Sequence, residues 1–146
     1  MIPSRILEKS KKFREIVIAT PRNNFPWNSS MGISQFPEGC CRDASQILAT
    51  YLYSELGIIC NLILGTNGGM DNEIFSHAWL EFEGMVIDIT ADQFNRSGYN
   101  LDDVYVGFPT EWHESFFIQP EGDARHTSLN DKGSLDDVYL TILERL

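Results

Sequence analysis

The sequence predicts an α+β protein, and three features of its apolar spacing predict it. Two segments of helical period come first, alternating strand-like segments follow Gly57, and helical period returns at the end. The strand signals sit together instead of alternating with helices, which implies a mostly antiparallel sheet.

Residues 4 to 19 read as the first helix, because Ile6, Leu7, Phe13, Ile16 and Val17 gather on one side and lysines cover the other. Pro21 to Gly39 reads as loop, with three prolines and an Asn-Asn pair. Residues 40 to 56 form the second helix, turning Ala44, Ile47, Leu48, Tyr51, Leu52 and Leu56 inward, with Gly57 as its C-cap. Strands are expected at Ile58 to Gly65, Ile74 to Phe82 and Met85 to Thr90, the last two joined at Glu83-Gly84. Shorter strands are expected at Val104 to Val106 and Phe116 to Ile118, then a final helix with a Leu135, Val138, Ile142, Leu146 stripe.

The chain has 146 residues, 42% of them hydrophobic and 12% aromatic. That is enough for a core without disulfide or metal staples, and no apolar run approaches the ~20 residues of a membrane span. No linker separates two cores, so residues 1–146 are expected to form one domain. Net charge is −10, which argues against a nucleic-acid binder. The charge is uneven: six basic residues face Glu8 and Glu15 within residues 1 to 22, consistent with a basic helix lying on an acidic body. Cys40, Cys41 and Cys60 make an odd count without framework spacing, and Met1 to Thr20 does not read as a leader. Free thiols in a reducing cytoplasm are expected.

Cys40 and Cys41 open the second helix, directly after Pro37-Glu38-Gly39. A helix start offers unpaired N–H groups and a positive dipole end, both of which favour a thiolate and can donate to an oxyanion. Helical position alone leaves either cysteine eligible. A nucleophilic thiol needs a base held by a third group. His77 lies in the second strand, on one face with Phe75, Trp79 and Glu81, and Asp88 lies in the otherwise apolar Val86-Ile87-Asp88-Ile89. A two-residue turn at Glu83-Gly84 sets Phe82 opposite Met85 and Trp79 opposite Asp88, so His77 and Asp88 share a face diagonally. An odd-length connection would put Asp88 on the other face.

These segments resemble a known family. Gly39-Cys40-Cys41-Arg42-Asp43 is similar to the Gly-x-Cys-Arg-Asp helix start of transglutaminase-like, papain-fold cysteine enzymes. His77-Ala78-Trp79-Leu80-Glu81 resembles their His-Ala-Trp-x-Glu strand, and Asp88-Ile89-Thr90 their Asp-Pro-Thr, with Ile89 in the proline's place. The resemblance covers residues 36 to 95. It implies a papain-like core at 36–95, flanked by the basic helix of 1–22 and by C-terminal strands and helix in 96–146. It also implies Cys41 as nucleophile, His77 as base and Asp88 as its orienter.

The expected activity is hydrolysis or transfer at an amide bond of a peptide or protein through a thioester, with no cofactor or metal and no nucleic-acid or membrane partner. So small an enzyme would take an exposed tail or loop, or need a protein partner to complete its site. The alternative is a non-catalytic acidic binding or immunity-type protein on the same scaffold. Asn28, Gln35, Trp27 and Gln93 are candidates for the second oxyanion donor, and no spacing chooses among them. Asp92 is a secondary polar partner or a cap. His113 reads as surface or rim, His126 as solvated and Cys60 as core.

Overall fold

The computed structural model of the chain describes residues 2–26, 29–126 and 134–146. Its architecture is α+β. Helix α1 (Ile2–Ala19) leads to a 3-10 turn at Arg22–Asn24, to the short helix α2 (Ser30–Ile33) and to α3 (Cys41–Leu56), which ends at Gly57. Strands β1 (Asn61–Gly68), β2 (Ile74–Phe82) and β3 (Met85–Asp88) follow, then a 3-10 helix at Ala91–Ser97 and β4 (Tyr105–Gly107). The chain closes with α4 (Glu111–Glu114), β5 (Phe117–Asp123) and α5 (Ser134–Leu143). The five strands lie in the order β4-β3-β2-β1-β5, and every neighbouring pair is antiparallel. Among the described residues no helix is long and apolar enough to cross a membrane.

Both faces of the sheet are covered, so the alternation along each central strand sorts residues between two clusters. Leu62, Ala78, Leu80 and Ile87 join Ile6, Phe13, Ile47, Leu48, Leu52, Val138 and Ile142 in the larger cluster, built on α1, α3 and α5. Ile63, Trp79 and Val86 join Ala91, Trp112 and Phe116 in the smaller one, with Phe94, Tyr99 and Tyr105 packed against it. Burial of this apolar surface at ~25 cal/mol per Å² is what holds the helices to the sheet.

The basic α1 is attached by named contacts. Arg14 is buried; its guanidinium donates to both carboxylate oxygens of Asp92 (2.9 and 2.7 Å) and to the carbonyls of Ile89 and Asp103. Lys9 pairs with Glu55 at 3.1 Å. Asp92 is thus the anchor of α1 to the segment after β3.

Several boundaries differ from the sequence expectation. The first strand runs from Asn61 to Gly68, three residues later than predicted, because Ile58 and Cys60 are buried ahead of the ladder and pairing with β2 continues to Gly68↔Ile74. The third strand stops at Asp88. Cys40 is the N-cap of α3 and Cys41 its first helical residue. The expected loop at 21–39 contains α2. Leu135, Val138 and Ile142 are buried, whereas Leu146 is exposed.

Candidate active site

The β2–β3 hairpin builds the histidine–carboxylate pair. Glu83 and Gly84 both take positive φ (50° and 80°), the two-residue turn whose twist matches its strands. Phe82 faces Met85, Glu81 faces Val86 and Leu80 faces Ile87. Continued by one residue, this register sets Trp79 opposite Asp88 and so His77 diagonal to it, and His77 Nε2 stands 2.8 Å from Asp88 Oδ2.

Both groups are 1% exposed. Burial alone would discharge the imidazole, but the charge and hydrogen bond of Asp88, and then Cys41, outweigh it and raise the His77 pKa to about 9. Burial would likewise neutralise Asp88. The His77 charge and hydrogen bonds from His113 and His77 prevail and hold the carboxyl well below its usual range. The Thr90 amide donates to Asp88 Oδ1 at 3.0 Å. Three donors to the carboxylate, from His77, His113 and the Thr90 amide, offset the cost of burying this ion pair.

His77 also lies among rings, with centroids of Phe94 at 5.2 Å, Trp112 at 5.4 Å, Trp79 at 5.5 Å and Phe116 at 6.2 Å. These rings close the imidazole off from water and fix its plane. Its Nδ1 has no hydrogen-bond partner among the described residues. That is the ring nitrogen left for the Cys41 thiol, which lies near enough to favour the charged ring.

Cys41 is half-buried at the first position of α3, packed at the edge of the larger cluster. Cys40 is 2% exposed, and burial, reinforced by Cys41 and Asp43, pushes its thiol up to about 12. Burial does the same to Cys60. Of the adjacent pair, only Cys41 is partly exposed, and it is the one whose influence favours the charged His77 ring. Gly39 enters the helix at φ 73°, where a Cβ would stand 2.7 Å from Ser34 Oγ, so this turn favours glycine. Asp43, in the first turn of α3, accepts from Ser30 Oγ at 2.5 Å and ties α2 to the helix start.

Next to this helix start lies a cleft of about 350 Å³ lined by Gln35, Phe36, Pro37, Glu38, Asp92, Gln93 and Arg96. Two of the candidate oxyanion donors, Gln35 and Gln93, therefore share one cavity; Gln93 Nε2 donates to the Thr90 carbonyl at 3.0 Å. Trp27 and Asn28 lie outside the described residues. An ion pair between Arg96 and Glu38 joins the two walls. Among the described residues, no three His, Cys, Asp or Glu side chains converge as metal ligands.

Two histidines differ from expectation. His113 is 3% exposed, not a rim residue, and its Nε2 lies 2.8 Å from Asp88 Oδ2, the oxygen His77 also contacts. Its sequence context of acids and aromatics suggested surface, but α4 turns Trp112 and His113 inward. The one local sign is Thr110, three residues earlier, whose hydroxyl caps α4 by accepting the His113 N–H. His126 is not simply solvated: it contacts Thr50 Oγ1 through Nδ1 (2.9 Å) and Asp136 Oδ1 through Nε2 (2.8 Å).

Comparison of the chain with protein-family models, with curated proteins and with solved structures returns no match.

Proposed function

We propose that the protein is a cysteine-dependent hydrolase or acyl transferase of transglutaminase-like, papain-fold type, acting on an amide bond of a peptide or protein. One observation carries the reading: His77 meets Asp88 through Nε2 and has Nδ1 left for Cys41. A base oriented by a buried carboxylate and facing an accessible thiol at a helix start is the arrangement nucleophilic cysteine chemistry needs.

In this reading the proton of the Cys41 thiol already resides on Nδ1 of the charged His77 ring, and the sulfur attacks the substrate carbonyl. The Cys41 backbone N–H, at the open end of α3, supplies one donor to the oxyanion. Collapse breaks the C–N bond, and the His77 Nδ1 proton passes to the departing amine, leaving a thioester on Cys41. Water or a second amine then attacks the thioester, giving its proton to His77 as the sulfur departs. Asp88 remains ionised throughout and stabilises the imidazolium.

The test is acylation by an activated ester. With p-nitrophenyl acetate the protein is expected to release a burst of one p-nitrophenolate per chain and to carry one acetyl group on Cys41, lost over time. Adding a primary amine speeds the loss if transfer is the natural outcome. Absence of the adduct, or its appearance on Cys40 or Cys60 instead, would contradict the proposal.

A further inference from the structure

Asp88 Oδ2 is contacted by two imidazoles, and the acyl-transfer scheme uses only one. His77 Nε2 and His113 Nε2 each lie 2.8 Å from it. An ionised carboxylate is acceptor-only, so each ring must present Nε2–H to it. The other end of His113 agrees. Thr110 Oγ1 accepts the His113 backbone N–H at 3.1 Å and lies 2.8 Å from Nδ1. Its own hydroxyl proton is therefore available to donate to Nδ1 wherever that nitrogen carries no hydrogen. The ring is oriented independently of Asp88: it meets Trp79 at 4.9 Å and Trp112 at 5.0 Å, and stacks on Tyr105 at 5.9 Å.

We propose that His113 is a positioning residue of the same site, its Nε2–H anchoring Asp88 so that the carboxylate holds the His77 ring in one tautomer and orientation. The inference rests on the Cys41–His77–Asp88 reading and adds to it. Rotation of a carboxylate about its terminal torsion is soft. The Thr90 amide fixes one oxygen of Asp88, and without His113 the other is held by His77 alone, the group it has to orient. His113, locked by rings and by the cap of α4, is a second anchor from another part of the chain. It touches neither Cys41 nor the reacting atoms in this scheme, and acts through Asp88.

Two substitutions separate the hydrogen bond from the packing. His113→Phe keeps a ring and removes the donor; His113→Gln loses the ring but carries an amide N–H where Nε2 stands. In the full-length protein, the His77 Nε2–H proton resonance is expected far downfield, displaced in His113→Phe and restored in His113→Gln. Iodoacetamide labelling of Cys41 at pH 6 should slow about 10-fold in the Phe variant, with a shifted pH profile, and return to within about 3-fold in the Gln variant. A Phe variant with the wild-type resonance, rate and profile would overturn the proposal, as would a Gln variant as impaired as Phe. Should the Phe variant not fold, Thr110→Val removes the hydroxyl at Nδ1 with His113 in place, and is expected to displace the His77 resonance. An undisplaced resonance counts against the proposal. If wild-type Cys41 proves no more reactive than a free thiol, the acyl-transfer reading fails, and the His77 resonance still decides whether His113 positions Asp88.

Discussion

The two clusters on opposite faces of the sheet bury ionisable groups with opposite results. In the larger, aliphatic cluster, Cys40 is enclosed and burial pushes its thiol up to about 12, the value that burial also gives Cys60 there. In the smaller, aromatic cluster, His77 is as deeply enclosed, yet it is held charged well above its ordinary range by the carboxylate beside it. Burial alone therefore does not set the charge state; a hydrogen-bonded opposite charge does. Cys41 packs at the edge of the larger cluster, half-buried, and its influence favours the charged His77 ring. The aliphatic side supports the fold, and the aromatic side holds a charged pair at the disposal of the thiol.

The sharpest way to break that division is His77→Ala. Labelling of Cys41 by iodoacetamide at pH 6 should slow by roughly 100-fold or more, the range expected for loss of a positioned base. On the other face, Leu48→Ala removes a side chain that is 1% exposed and should lower stability by about 2–5 kcal/mol in denaturant titration. Below its melting temperature it should leave the Cys41 labelling rate unchanged. A Leu48 variant that slowed labelling like His77→Ala would erase the distinction between the two faces.

The pH dependence of stability sharpens the comparison further. His77 is raised from 6.5 to about 9 in the folded state, so its contribution is complete below about 6.5 and lost as pH rises through 9. Asp88 is depressed, so its contribution is present above its ordinary value of 3.8 and lost as pH falls through its folded-state value. The wild-type denaturation midpoint should therefore fall between pH 6 and 9.5 by more than that of Asp88→Asn, in which His77 has lost its counter-charge. Equal falls in both proteins would show that the pair is not charged. The smallest effect is expected at the hairpin tip, where Gly84→Ala places a Cβ at φ 80° and should cost about 1 kcal/mol without slowing labelling.

These residues also show what the sequence could display. The His77–Asp88 pair was legible because two short-range rules fix it: the Glu83-Gly84 turn sets the register, and period-two alternation sets the face. The α3 face was legible for the same reason, through spacing of 3.6. Choosing between Cys40 and Cys41 was harder, since a one-residue step at a helix start decides which thiol the core swallows. The β1 boundary was displaced because burial at Ile58 and Cys60 imitates strand signal without ladder pairing. His113 was not legible as a site residue. Its arrival at Asp88, 25 residues away in sequence, depends on the path through β4 and α4, and no local pattern encodes that path. His126 was missed similarly, its partner Thr50 lying 76 residues away.

The central claim is that His77, held charged by Asp88, activates Cys41. The direct measurement is the rate of iodoacetamide labelling at each cysteine between pH 5 and 9, read by peptide mass. Cys41 is expected to react at pH 6 at least about 10-fold faster than an ordinary thiol of pKa about 8.5, while Cys40 and Cys60 remain unmodified. If Cys41 instead reacts no faster than that thiol, rising only as the pH approaches 8.5, the account is wrong.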